Sequence, residues 1–346
     1  MKPIKVAIIG LGHIGKYHIK AIQEFPELNL IAICDQKKEF SSLAPEGVDF
    51  YVDFQDLLND DRIETVIVAT PNRTHYYIAM SVLASGKHLI LEKPAAESFE
   101  ELVHLQNTAK ESSLTIYYAF HAATAFDVEW ARNWLNNKEN QKKLGPITGF
   151  TCRFYDPYVE NGLLKQEAEG LQNCWRDSGI NALSVILRFL RNGDLDIENV
   201  SAAANGKDLP SILQCLAEFR FSVTGNDLAG YGVIDTNWTS GRNHKSTTLF
   251  FGESKHVLLM NHSKQCVWLS TPGGDHSKLA DLSFKRERLY NHYLGVFKEF
   301  LSLRQMSNGL QMLNAGESVS AHELLFKTEA AINRPAGILW ESNKRN

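Results

Sequence analysis

Gly10, Gly12 and Gly15, in the run Gly10-Leu-Gly-His-Ile-Gly15, have the spacing of a phosphate cradle. In such a G-x-G-x-x-G turn the first glycine permits a tight bend. The second lets the backbone approach a pyrophosphate, and the third lets the following helix lie close to the strand. The phosphate rests on unpaired N–H groups at the helix start, where the dipole favours negative charge. His13 and Ile14 sit inside the turn and are read with it as cofactor contacts. Asp35 stands 20 residues beyond Gly15, where a carboxylate accepts hydrogen bonds from both hydroxyls of an adenosine ribose. A carboxylate there repels a 2′-phosphate and favours NAD, while Lys37 and Lys38 follow closely enough to bind that phosphate and keep NADP open. Gly10 to Lys16 also has P-loop spacing. Tyr17, however, occupies the place of the magnesium-binding Ser or Thr, and a P-loop leaves Asp35 without a role.

Two more segments carry chemistry: Ala69-Thr70-Pro71-Asn72 with His75, and Glu92-Lys93-Pro94. Each follows an apolar run that reads as a strand, and ligands of open α/β sheets bind outside the carboxyl ends of the strands. Lys93 is held beside a proline, so it reads either as a positioned reactive group or as a surface lysine paired with Glu92. The twelve histidines contain no His-Glu-x-x-His and no close ligand cluster, so no metal site is expected.

The elements that must position these residues follow from periodicity. Strands are expected at Ile4–Ile9, Leu28–Cys34, Glu64–Ala69, Lys87–Leu91 and Leu114–Phe120. Helices are expected at about 14–25 and 74–85. Ser98-Phe-Glu-Glu101 is a capping box opening another helix. Repeated β-α-β with short connections predicts a doubly wound parallel sheet. After residue 121 the pattern changes. A helix carrying Trp130 and Trp134 is followed by a helix at about 179–189. The chain is strand-rich from about 197 to 270, and closes with helices at about 287–303 and 317–332. The alternating strands with Gly, Asn and Asp turns predict an antiparallel sheet. The expected fold is α/β: a Rossmann dinucleotide-binding domain over 1–121, then an α+β substrate and oligomerisation domain over 122–346 with a large, open, mostly antiparallel sheet.

These motifs together, with His18, resemble the glucose-fructose oxidoreductase/inositol dehydrogenase/MocA (Gfo/Idh/MocA) family, and the domain order resembles it along nearly the whole chain. The resemblance implies a nicotinamide-dependent oxidoreductase. The lysine matching Lys93 then lies near the nicotinamide and the reacting carbon, and Thr70, Pro71, Asn72, His75 and Glu92 lie along the cofactor. The family carries an Asp and a His four residues apart on a helix of its second domain; here these are Asp177 and Asn181. Residues so spaced share one helical face. Asparagine takes no proton at neutral pH, which puts His-centred alcohol oxidation in doubt. Asp-x-Gly-Ile-Asn-Ala-Leu, with His121 ending the Leu114–Phe120 strand, resembles the D-galactose/L-arabinose 1-dehydrogenase branch. That implies oxidation of an aldose at its anomeric carbon, with Asp177 and Lys93 in the chemistry and Asn181 and His121 on the sugar. Asp177 also reads as a helix N-cap, and His121 as a satisfied junction histidine. Trp175 reads either as a sugar-stacking ring or as core. A cyclitol, sugar-derivative or carbonyl substrate stays open, as does a non-catalytic dinucleotide-binding sensor.

Bulk properties agree with this picture. The 346 residues, 44% hydrophobic and 22% charged with net charge −4, give no electrostatic reason to expect nucleic acid or an anionic membrane as partner. Five scattered cysteines without Cys-x-x-Cys fit a reducing cytoplasm. Val6–Ile9 is too short for a signal-peptide core. An open sheet face suggests burial in a homodimer or homotetramer.

Overall fold

The computed structural model describes residues 2–190, 195–203, 212–223, 228–284, 286–306 and 315–332. Residues 333–346 of the expected second domain lie outside the described residues. Strands β1 (Ile4–Ile9), β2 (Leu28–Cys34), β3 (Asp49–Tyr51), β4 (Thr65–Val68), β5 (His88–Glu92) and β6 (Ile116–Ala119) form a parallel sheet ordered β3-β2-β1-β4-β5-β6. The alternation of side chains along each strand feeds two cores. Ala7, Ile9, Val66, Val68, Leu89 and Leu91 face one side, and Val6, Ile8, Ile67 and Ile90 the other. Strands buried on both faces need near-continuous apolar sequence, which is why these runs are legible.

Helices α1 (His13–Ile22), α2 (Phe54–Leu58), α3 (His75–Ala84) and α4 (Phe99–Glu111) join the strands. The capping box is half as expected. Ser98 Oγ accepts from Glu101 N at 3.2 Å, but the Glu101 carboxylate accepts from Glu97 N at 2.9 Å rather than from Ser98 N.

Helices α5 (Phe126–Leu135) and α6 (Lys138–Leu144) lead to a mixed sheet of β7 (Gly149–Tyr155), β10 (Asp196–Ala203), β11 (Gln214–Ser222), β12 (Ala229–Asn237), β13 (His244–Phe251), β14 (His256–Asn261), β15 (Cys266–Ser270) and β16 (His276–Asp281). A two-residue pair, β8 (Val159–Glu160) and β9 (Leu163–Leu164), precedes helix α7 (Ile180–Ile186). Among the described residues the large sheet runs β10-β11-β12-β7-β13-β14-β15-β16, antiparallel except for the central β12–β7 pair.

The last two helices return to the first sheet. Helix α8 (Arg288–Met306) packs on α1 and sends Tyr290, Tyr293, Val296, Phe297 and Phe300 into the core behind Val6 and Ile8. Helix α9 (Ala315–Ile332) lies against β6, α4 and α7. Its His322 Nε2 accepts from Ala95 N at 2.9 Å. Among the described residues no helix is long and apolar enough to cross a membrane, and all five cysteines are buried free thiols.

Candidate active site

The glycine turn has the geometry its spacing demands. Gly10 has φ +95°, a conformation that disfavours side chains, and a Cβ there would lie 2.5 Å from the Ala69 carbonyl oxygen. At Gly15 a Cβ would lie 2.1 Å from the Gly10 carbonyl oxygen, so helix and turn are in direct contact. At Gly12 a Cβ would meet nothing within 4 Å. The middle glycine therefore faces open space, which leaves the backbone accessible there. Asp35 braces this turn: its Oδ2 accepts from Leu11 N at 2.8 Å and its Oδ1 from Lys37 N at 2.9 Å. Each carboxylate oxygen keeps a free acceptor site, and Asp35 is half-buried beside the turn. A cavity of about 630 Å³ is lined by Gly12, His13, Lys16 and Phe40 on one side and by Lys165, Gln166 and Glu167 of the second lobe on the other. Ile14 is half-buried against the core behind α1.

The ends of β4 and β5 meet next to this turn. His75 is 1% exposed. Its Nδ1 lies 2.7 Å from the Pro94 carbonyl oxygen and its Nε2 2.8 Å from that of Thr70. Burial lowers its pKa, so the neutral ring donates to one carbonyl at a time. This corrects the expectation for His75: it ties the two strand-end loops together and has no free nitrogen for a dinucleotide. Thr70 is half-buried, Pro71 exposed and Asn72 buried at the mouth of the same loop.

Glu92 is buried and accepts from Tyr293 Oη at 2.9 Å, with His18 Nε2 at 2.8 Å. Burial works to raise the Glu92 carboxyl, but the hydrogen bond with His18 leads the opposing effects and holds it below its ordinary value. Burial and Glu92 together push the Tyr293 hydroxyl well up, so it stays a donor. Glu92 thus stands behind Lys93, whose peptide bond to Pro94 is cis.

Lys93 reaches across to the second lobe. Its Nζ lies 2.7 Å from Asp177 Oδ1 and 3.3 Å from the Asp177 carbonyl oxygen. The two side chains are each 10% exposed. Asp177 is not an N-cap: it lies within a π-helical turn, Trp175–Gly179, that runs into α7. Such bulges re-aim side chains and recur at functional sites. Asn181, four residues on, donates from Nδ2 to the Asp177 carbonyl at 3.0 Å. Its buried Oδ1 has no partner among the described residues. Trp175 must be corrected. Its ring is fully buried, its Nε1 donates to the Leu325 carbonyl at 3.1 Å, and a Cβ on Gly179 would fall 2.6 Å from it. No sugar face can reach that ring.

His121 ends the sixth strand and faces α8, with its Nδ1 3.1 Å from His292 Nδ1. Burial, helped by the Lys93 charge, pushes His121 down to about 3, and burial with Arg288 lowers His292 well below its ordinary value. Both rings are neutral at neutral pH, so one nitrogen donates and the other accepts. His292 Nε2 has no partner among the described residues. Behind Asp177, Asp156 is paired with buried Lys245 and accepts from Ser178 Oγ at 2.9 Å. Burial raises the Asp156 carboxyl, but Lys245 outweighs it and the net direction is down; burial lowers the Lys245 ammonium. Sequence reasoning missed His292, Tyr293, Asp156 and Lys245. No motif marks them, although the polar-aromatic run Tyr290-Asn-His-Tyr293 at a helix start was an available signal.

Comparison with known proteins supplies the context. Residues 4–120 match the family model of the Gfo/Idh/MocA group, described as an oxidoreductase family with an NAD-binding Rossmann fold. The first third of the chain is thus similar to that NAD-binding family. The D-glucoside 3-dehydrogenase of Escherichia coli (strain K12) is 31% identical over 39% of this chain and 40% of its own. The glucose-6-phosphate 3-dehydrogenase of Bacillus subtilis (strain 168) is 26% identical over 58% of this chain and 57% of its own. The chain spans between 31% and 57% of the length of the curated relatives it matches. The fold is shared along nearly the whole chain. A levoglucosan dehydrogenase in complex with NADH and levoglucosan superposes with a TM-score of 0.80 over 96% of this chain and 97% of its own, at 15% identity. The family model and the curated relatives make the chain similar to the Gfo/Idh/MocA oxidoreductases, and the solved structures show the shared fold.

Proposed function

We propose that this protein is an NAD(P)-dependent dehydrogenase that oxidises the anomeric carbon of a pyranose aldose, of galactose or arabinose type, to a lactone, with NAD favoured over NADP. The observation that carries the proposal is the Lys93–Asp177 contact, which brings a second-lobe carboxylate onto the strand end of an NAD-binding sheet. The open space over Gly12 and the adjoining cavity fit a dinucleotide. Gly10, Gly12, His13 and Gly15 would hold its pyrophosphate and Asp35 its adenosine ribose. Thr70, Pro71, Asn72 and Lys93 would lie toward its nicotinamide. A nicotinamide bound there would supply the hydride acceptor for the sugar carbon.

The residues of the chain supply the remaining chemistry. As C1 loses hydride its hydroxyl becomes acidic and a base must take the proton. In this reading Asp177 accepts it, and Lys93, whose Nζ lies 2.7 Å from Asp177 Oδ1, orients that carboxylate and hydrogen-bonds the sugar oxygen. Lys93 is the alternative acceptor. Asn181 Oδ1, buried and without a partner among the described residues, is an acceptor for a sugar hydroxyl. Neutral His121 can donate to or accept from another. Fixed polar groups of this kind reject epimers, because a misplaced hydroxyl leaves a buried donor or acceptor unpaired.

Lys93→Ala and Asp177→Ala are each expected to lower turnover about 10²- to 10⁴-fold, the usual worth of a positioned acid or base. Dinucleotide binding, read by fluorescence quenching, should change little. Near-normal turnover in either variant removes that residue from the mechanism. A second reading keeps the site and moves the oxidised carbon to C3; the activities named for the two curated relatives favour it.

A further inference from the structure

We infer that the carbohydrate taken by this cleft carries an anionic group, a phosphate or a carboxylate, and that Arg288 receives it. The inference rests on the reading of the cleft as a carbohydrate-oxidising site. Arg288 is the first residue of α8 and is half-buried. It lies four residues before His292, so the two share a helical face. That face is fixed by His292, which contacts His121 at 3.1 Å. Helical side chains lean toward the N-terminus, so Arg288 lies one turn outward of His292 on that face. Its field reaches both lobes: it acts on His121 and His292, on Asp156, Lys245 and Tyr158 beyond them, and on Tyr17.

The charges around it are already matched. Asp177 is bonded to Lys93, Asp156 to Lys245, and Glu92 to His18 and Tyr293. The neighbouring Glu287 accepts from the Tyr17 hydroxyl. Arg288 has no hydrogen bond or ion pair among the described residues. Beside carboxylates that all have other partners, Arg288 offers a planar, five-donor fork with no acceptor among the described residues. Phosphate and carboxylate match that fork in a bidentate manner. A dinucleotide pyrophosphate would lie at Gly12, and Arg288 also acts on Tyr17 on that side, so the dinucleotide KM is read alongside the sugar KM.

The test compares kcat/KM of the protein with NAD or NADP on D-galactose, D-galactose 6-phosphate and D-galacturonate, and on the corresponding D-glucose set. Wild type, Arg288→Ala and Arg288→Lys are measured together. The anionic members should exceed their neutral counterparts by about tenfold or more in the wild type, as expected for a charge-assisted hydrogen bond. Arg288→Ala should raise their KM about 10- to 100-fold with kcat little changed. It should leave the neutral sugars unaffected, and Arg288→Lys should restore part of the loss. Whether phosphates or uronates respond identifies the source of the charge. Neutral sugars preferred, equal losses on both classes, or a loss confined to the dinucleotide KM would each overturn the inference. If no sugar is oxidised, the dehydrogenase reading fails and calorimetric titration of the NADH-loaded protein decides this one separately. Binding of D-galactose 6-phosphate or D-galacturonate that Arg288→Ala abolishes sustains it. Absent or unchanged binding overturns it.

Discussion

Replacing His121 by glutamine should remove an acid-sensitive part of the protein's stability. The His121 ring is buried, and burial with the nearby Lys93 charge brings its pKa to about 3. In the unfolded chain a histidine titrates near about 6.5. Between these values the unfolded chain binds a proton that the folded protein refuses, so stability falls as pH falls through that window. The loss is about 1.4 kcal/mol per pH unit. From pH 6.5 to 4.5 the His121 share is then about 2.3 kcal/mol, a sizeable part of a typical total of about 5–15 kcal/mol. Glutamine can keep a hydrogen bond to His292 but does not titrate. Urea unfolding of wild type and His121→Gln between pH 7.5 and 4.5 measures the difference directly. It should be flat above pH 6.5 and shift by about 1.4 kcal/mol per unit below it, against the wild type. Acid-lowered carboxylates such as Glu92 and Asp156 are common to both proteins and cancel. A difference that does not change with pH would refute the placement of His121 as a neutral buried ring.

Gly12→Ala should fold as the wild type, since nothing lies within 4 Å of the new methyl. It should nonetheless weaken dinucleotide binding about tenfold or more in a fluorescence titration. Gly15→Ala meets the Gly10 carbonyl oxygen at 2.1 Å and should lose stability whether or not cofactor is present, read as a lower Tm in both states. Trp175→Ala should cost about 3–5 kcal/mol in urea unfolding, with the sugar KM of the remaining folded protein little changed because the ring never meets substrate.

The first sheet was legible because β1, β4 and β5 are apolar on both faces and their turns are marked by Gly10, Pro71 and Gly86. β3 was missed. It is a three-residue edge strand, Asp49-Phe-Tyr51, with one exposed and two half-buried positions, too short for any period to show. β10 was blurred for a related reason: an edge strand exposed or half-buried along its length carries no alternation. Asp177 and Asn181 were visible by spacing, but the π-helical turn that aims Asp177 at Lys93 was not, because its extra residue leaves no mark in the pattern. The hardest parts were contacts between distant segments. Tyr293 reaches Glu92 across 201 residues of sequence, because α8 folds back onto the first sheet. Neither partner signals the other. His75 and Trp175 show the converse limit: residue type and position were right for a ligand contact, but burial closes one ring off from the dinucleotide and the other from the sugar.

The most direct test of the proposed chemistry is the fate of the C1 hydrogen. The protein is incubated with NAD or NADP and an aldose deuterated at C1, in parallel with one deuterated at C3, and the reduced cofactor and the sugar product are analysed by mass spectrometry. Anomeric oxidation predicts deuterium in the reduced nicotinamide from the C1-labelled sugar alone, with an aldonolactone as product. Label arriving from C3, with a keto sugar as product, or no reduction of either cofactor, would contradict it.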